Sequence, residues 1–116
     1  MDILTGITEE LEKLKIRDIH IIDKKGVSII ADYFIITTAD SIQQIEGIRE
    51  KLKDHMWKYK IGLKNPLEKW EDGWLLLDFG DYIIHVFLEE KRNFYNIDSL
   101  IEHGNDEELS KIKNLK

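Results

Sequence analysis

Two apolar runs in the second half of the chain give the clearest prediction of local structure. Residues 73–77 and 82–87 are almost wholly aliphatic or aromatic, and the segment 78–81, with two Asp and one Gly, separates them. Asp and Gly favour tight turns, so the pattern predicts a β-hairpin. Neither run alternates between apolar and polar residues, which is typical of strands covered on both faces. We therefore expect this hairpin in the middle of a sheet with helices packed on it.

Apolar residues at three- and four-residue steps predict two amphipathic helices. The first helix, which Thr5 or Thr8 is expected to cap, carries Leu4, Ile7, Leu11 and Leu14. The second, predicted over about residues 41–59, carries Ile42, Ile45, Ile48, Leu52, Met56 and Tyr59. Ser41 precedes Gln44 by three residues, which is the spacing of a capping box at a helix start.

The remaining segments complete a small α/β fold. Residues 18–23 and 31–38 are rich in β-branched and aromatic residues and are predicted strands. Residues 89–95 and 96–102 suggest one or two short helical turns. Because a long helix joins the second strand to the hairpin, at least one strand pair is expected to be parallel and the sheet mixed. We expect a single α/β domain over residues 1–103, followed by a C-terminal tail or short helix over residues 104–116.

Composition narrows the class of protein. The 116 residues suffice for one core, and the chain contains no Cys, which excludes disulfides, thiolate metal sites and thiol nucleophiles. We find neither a signal-peptide pattern nor an apolar run long enough to span a membrane, so we expect a soluble cytoplasmic protein without a membrane partner. The formal net charge of −6 argues against direct DNA binding and favours a basic protein as partner.

The residue chemistry gives catalysis little support. His85 lies among apolar residues of a predicted strand, where a His is most often a hydrogen-bonded core residue, and a nominal metal set with His20 and Asp78 lacks any short ligand spacing. Asp78 and Asp81 could act as acid and base, but they flank Gly80, where Asp commonly bonds turn amides. The sequence has no glycine-rich phosphate loop and no credible nucleophile and base pair.

Aromatic and acidic residues lie close together in sequence in the second half of the chain. Two interpretations stay open: aromatic anchors ringed by carboxylates that dock on a basic protein, or core aromatics beside ordinary surface charge. The aromatic residues are Trp70, Trp74, Phe79, Tyr82, Phe94 and Tyr95, and the acidic residues are Glu68, Glu71, Asp72, Asp78, Asp81, Glu89, Glu90 and Asp98.

Several of these segments, in collinear order from about residue 5 to 101, resemble the ribosomal silencing factor family, the Iojap-like proteins. The matching segments are Asp18-Ile19-x-x-x-Asp23, Ala31-Asp32-Tyr33-Phe34-Ile35-Ile36, Ser41-x-x-Gln44-Ile45, Trp74-Leu75-Leu76-Leu77-Asp78-Phe79-Gly80-Asp81, His85-Val86-Phe87 and Arg92-x-Phe94-Tyr95-x-Ile97-Asp98-x-Leu100.

The resemblance implies a function that requires no enzyme chemistry, metal or cofactor. A member of the family is expected to bind the large ribosomal subunit through large-subunit ribosomal protein fourteen and to block joining of the small subunit, which represses translation. A role in large-subunit biogenesis is also implied. The implied fold is similar to that of nucleotidyltransferases, without their active site. On this basis we hypothesise that the partner interface is bordered by Trp74, Asp78, Phe79, Asp81, Tyr95, Asp98, Asp32 and Tyr33.

Two alternatives from other classes remain open at this point. The chain could be a nucleotidyltransferase-like enzyme with a degenerate metal site, in which case a nucleoside triphosphate and Mg²⁺ would shift its thermal stability. It could also be a homodimeric scaffold that associates through the hairpin face, and such a homodimer is compatible with either of the other functions.

Overall fold

The computed structural model of the protein describes residues 2–65 and 73–115. Its α/β architecture, a mixed sheet flanked by helices, is the predicted one. Trp70, Glu68, Glu71 and Asp72, which the sequence analysis grouped with the aromatic and acidic residues, lie outside the described residues. In chain order the elements are α1 (Ile3–Lys13), β1 (Arg17–Asp23), β2 (Tyr33–Ala39), α2 (Ile42–Trp57), β3 (Trp74–Asp78), β4 (Tyr82–Leu88), α3 (Glu89–Tyr95), α4 (Ile97–His103) and α5 (Asp106–Leu115).

The four strands form one mixed sheet in the order β1-β2-β4-β3. β1 and β2 are antiparallel, β2 and β4 are parallel, and β3 and β4 are antiparallel, which confirms the mixed sheet. The expectation that the whole hairpin lies in the middle is wrong for β3, which occupies an edge. α2 returns the chain so that β4, rather than β3, pairs with β2, and β3 is left outside.

An apolar core lies on each face of the sheet. α1 and α2 cover one face, where Ile7 and Ile48 pack with Ile35 and Ile84 of the central strands. α4 and α5 cover the other face with Ile97, Ile101, Leu109 and Ile112, against Phe34, Ile36, Ile83 and Phe87. Both central strands are therefore buried on both sides, which explains their almost continuous apolar sequence.

The helix starts differ in detail from the sequence predictions. Asp2, rather than Thr5 or Thr8, caps α1, because its carboxylate accepts a hydrogen bond from the Thr5 amide at 2.8 Å. Ser41 caps α2 and accepts from the Gln44 amide at 3.1 Å, as the capping box predicts. The Gln44 side chain reaches one residue further back than expected and accepts from the Asp40 amide at 2.6 Å.

Asn96 makes the junction between the two short helices that follow the sheet. It has φ 50°, the left-handed conformation that Asn tolerates better than most residues, and it ends α3 and begins α4. The residues on either side of this bend, Tyr95 and Asp98, are thereby turned toward the sheet and toward β1.

Candidate functional site

Three of the predicted interface residues lie in the core. Trp74, Asp78 and Phe79 are almost wholly buried. The Asp78 carboxylate accepts a hydrogen bond from the Gly80 amide at 2.9 Å, and Gly80 has φ 88°, so Asp78 has the turn role that the sequence analysis favoured for it. These three side chains offer no surface to a partner, and their expected place at an interface is corrected accordingly.

Trp74 instead makes a polar contact inside the core with His85. The Trp74 indole Nε1 donates a hydrogen bond to His85 Nδ1 at 3.0 Å. His85 is buried, and this burial lowers its pKa to about 3, although the charge of Asp98 acts in the opposite direction. The ring is therefore neutral at pH 7, with Nδ1 as acceptor and its proton on Nε2. The interpretation of His85 as a hydrogen-bonded core residue is confirmed.

His20, which the sequence analysis paired nominally with His85, belongs to another cluster. Its Nδ1 lies 2.7 Å from Asp98 Oδ2 and its Nε2 lies 3.3 Å from Glu102 Oε1. Within the described ranges, no group of three or more His, Asp or Glu side chains is arranged to hold a metal ion.

Asp98 is engaged by a network that joins α3, α4 and the sheet. Arg92 Nε and Nη2 donate to its two carboxylate oxygens at 3.0 and 2.7 Å, and Arg92 Nη1 donates to Thr38 Oγ1 at 2.9 Å. Burial alone would raise the pKa of Asp98, but hydrogen bonds from Arg92 and His20, with their charges, lower it below its ordinary value. Half-buried Tyr95 packs beside this network, with its ring 5.0 Å from that of Trp74.

The other three predicted residues come together at one end of the sheet. The Asp32 and Tyr33 amides both donate to the Asp81 carbonyl, at 3.0 and 2.9 Å. Tyr33 and Tyr82 are paired residues on the parallel strands β2 and β4, and their rings stack with centroids 5.6 Å apart. Asp81 is exposed and the other three are half-buried. We call Asp32, Tyr33, Asp81 and Tyr82 the sheet-end surface.

Tyr82 is the member of this surface that the predicted interface omitted. Its place beside Tyr33 depends on the pairing of β2 with β4, which no local sequence pattern shows. Burial is the main cause that raises the pKa of Tyr82, and the neighbouring Tyr33 and Asp81 raise it further. The negative charges of Asp32 and Asp81 and the aromatic rings of Tyr33 and Tyr82 favour binding of a cationic side chain over an anion.

Comparisons with known proteins agree on one family. The sequence model of the family described as "Ribosomal silencing factor during starvation" matches residues 2–116. "Ribosomal silencing factor RsfS" of Bacillus subtilis is 36% identical over 83 residues, covering 72% of this chain and 70% of that protein. The protein of the same name from Halalkalibacterium halodurans is 32% identical over 100 residues, covering 85% of each.

A more distant relative and a solved structure extend the comparison. "Mitochondrial assembly of ribosomal large subunit protein 1" of Mus musculus is 32% identical over 88 residues, which are 72% of this chain and 38% of that protein. A crystal structure of a Chromobacterium violaceum protein matches with a TM-score of 0.76 and 25% identity, covering 86% of each chain. In the part of the chain that the structure describes, no helix is long and apolar enough to cross a membrane.

Proposed function

This chain belongs to the ribosomal silencing factor family, and from that premise we propose that it represses translation by binding the large ribosomal subunit in the cytoplasm. Large-subunit ribosomal protein fourteen is its proposed contact, and the bound protein blocks the approach of the small subunit. The proposed mechanism involves no catalysis, and a contribution to large-subunit assembly is compatible with it.

The observation that carries the proposal is the family match over nearly the whole chain. The name of the mouse relative, which refers to assembly of the ribosomal large subunit, supports the choice of subunit. The two packed cores of this chain, and its match to the Chromobacterium violaceum structure over 86% of each chain, support an intact family fold.

We place the contact on the sheet-end surface. Asp32 and Asp81 supply negative charge, and the Tyr33 and Tyr82 rings supply flat apolar area beside it. Ribosomal proteins are commonly basic, so this combination favours their side chains and raises the association rate. Tyr95 and Asp98 lie outside the proposed contact, because Arg92 and His20 already engage the Asp98 carboxylate and Tyr95 packs on Trp74.

Steric exclusion supplies the proposed repression. The described chain measures 32 × 31 × 25 Å, and a domain of this size bound at the joining face would occupy space that the small subunit needs. A standard interface of about 800 Å² per partner is enough for a stable complex of a domain this size. The protein then needs no conformational change of its own, since its bulk at the joining face competes directly with the small subunit.

The test of the proposed contact is a charge reversal at Asp81, whose exposed side chain leaves the backbone hydrogen bonds of the turn intact. We expect Asp81→Lys to weaken binding to purified large-subunit ribosomal protein fourteen by about tenfold at low salt. The difference should shrink as salt rises, because counterions screen exposed charges. Fluorescence titration across a salt series measures both effects.

Asp54→Lys makes the same change of charge at an exposed position of α2 and serves as the control. Its affinity should stay within about twofold of the unmodified protein, because its charge lies on a different element. Equal affinities for the two variants, with both folded, would remove the sheet-end surface from the contact.

A further inference from the structure

Two branched aliphatic side chains project into solvent from the loop between β1 and β2. Val27 is 77% exposed and Ile29 is 89% exposed. Neither belongs to the two apolar cores. Single exposed aliphatic residues are common on protein surfaces. Two at one loop tip that contribute nothing to the packed cores are candidates for contact with a partner.

The loop is held in one conformation by its own backbone. The Val27 and Ser28 amides both donate to the Lys24 carbonyl at 2.9 Å, and Gly26 makes the turn with φ 78°. The Ile30 amide donates to Ser28 Oγ at 3.0 Å. A loop with its amides satisfied in this way keeps its side chains in place without help from a partner.

Contacts with the C-terminal helices hold the loop from outside. The Ser28 hydroxyl donates to Asp106 Oδ1 at 2.6 Å, and the Ile29 amide donates to Asp106 Oδ2 at 3.3 Å. Lys24 Nζ donates to the Glu102 carbonyl at 3.2 Å, at the end of α4. The tip is thus fixed while its two aliphatic side chains are left outside, an arrangement that reduces the entropy cost of binding.

The base of the same loop is continuous with the sheet-end surface. The Lys24 amide donates to the Asp32 carbonyl at 2.8 Å, and the Asp32 amide donates to the Asp81 carbonyl at 3.0 Å. The base of the loop therefore adjoins the acidic, aromatic sheet end through Asp32, and the exposed Lys25 adds a positive charge between that base and the tip. A matching partner needs an apolar recess for the tip, with cationic side chains placed toward Asp32 and Asp81 and away from Lys25. A folded basic protein offers this combination and a phosphate backbone does not.

We propose that Val27 and Ile29 are the apolar anchors of this protein on its partner, and that they insert into a recess of a basic protein bordered by Lys or Arg. The inference rests on the proposed function, for which it defines the contact surface more closely. The sheet-end surface then orients the partner through charge, while the loop tip contributes the apolar burial that slows dissociation.

The test is a double variant, Val27→Ser with Ile29→Ser, measured against isolated large ribosomal subunits by pelleting over a concentration series. Both side chains are exposed, so the melting temperature should stay close to that of the unmodified protein. Affinity should fall about tenfold or more, and Ile29→Leu, which keeps the apolar volume, should retain it. Phe94→Ser on α3, where Phe94 is also 77% exposed, is the control and should bind normally.

The outcomes separate the inference from the proposed function. Failure of the unmodified protein to bind large subunits would overturn the proposed function and the anchors with it. Normal binding by the folded double variant would overturn the anchors alone. The double variant could also lose affinity for protein-free ribosomal RNA while keeping its affinity for purified ribosomal protein. That result would show that the anchors contact RNA, and the assignment of a basic protein as partner would be wrong.

Discussion

The hydrogen bond between Trp74 and His85 joins two strands at the centre of one core. Trp74 lies on β3 and His85 on β4, and Phe87 stacks beside both rings, with its centroid 5.1 Å from that of Trp74. Both side chains are buried, and the indole N–H donates to His85 Nδ1. His85 has to remain neutral for this bond, which links core stability to pH.

We expect His85→Ala to lower the free energy of unfolding by about 2–4 kcal/mol, because it leaves a cavity and removes the buried hydrogen bond to Trp74. Thermal or urea unfolding followed by Trp fluorescence measures the change. A melting temperature equal to that of the unmodified protein would contradict the core role.

The pH dependence of stability gives a second measurement on the same variant. In the folded protein the pKa of His85 is lowered to about 3, whereas in the unfolded chain it has its ordinary value of 6.5. Between these two pH values the unfolded chain binds a proton at His85 and the folded protein does not. Stability from this group is complete above the unfolded pKa and is lost as pH falls toward the folded one. The slope in that window, at most about 1.4 kcal/mol per pH unit, should be smaller in His85→Ala.

Two glycines on different helices show how α1 and α2 meet. A Cβ at buried Gly6 of α1 would lie 2.9 Å from Nε2 of His55 on α2, whereas a Cβ at Gly47 of α2 would meet nothing within 4 Å. The His55 ring lies edge-on to Tyr59, with centroids 5.7 Å apart, and its Nδ1 lies 3.4 Å from Glu10 Oε1, so a shift of the ring would disturb both contacts. Gly6 therefore permits the close approach of the helices, and Gly47 has no such role in the described structure.

The same substitution should have opposite effects at these two sites. Gly47→Ala should raise the free energy of unfolding by about 0.5–1 kcal/mol, because Ala has the higher helix propensity. Gly6→Ala should lower it by about 1–2 kcal/mol, since overlap with His55 outweighs the same gain. Chemical denaturation of the pair measures both, and a stabilised Gly6→Ala variant would contradict the proposed packing.

The sequence predicted the helices and strands well but misplaced β3. Its uninterrupted apolar run indicated a strand covered on both faces, and we took such a strand to be central. The pattern of side chains shows whether the faces of a strand are buried, but it does not show whether both edges of the strand are paired. The Asn65 side chain covers part of the outer edge: it donates to the Leu76 carbonyl at 2.7 Å and accepts from the Asp78 amide at 2.9 Å. The side-chain amide of Asn65 thus makes hydrogen bonds that a neighbouring strand would otherwise make with β3. An edge strand protected in this way can carry a core-like sequence.

At the scale of the whole molecule, the candidate site was only partly predictable. Asp32, Tyr33 and Asp81 were identified from segments resembling the family, yet their proximity depends on the parallel pairing of β2 and β4. Trp74, Asp78 and Phe79 come from an equally suggestive segment and are buried. Val27 and Ile29 carried no signal, since exposure of an apolar residue in a loop becomes evident only once the surrounding packing is known.

Subunit joining is the measurement that tests the central claim most directly. Isolated large subunits are incubated with the protein, small subunits are added, and the particles are separated by sedimentation. We expect the protein to sediment with the large subunit and to reduce the fraction of joined ribosomes as its concentration rises. Binding that left joining unchanged would contradict steric exclusion, and absence of binding at moderate salt would contradict the silencing function itself.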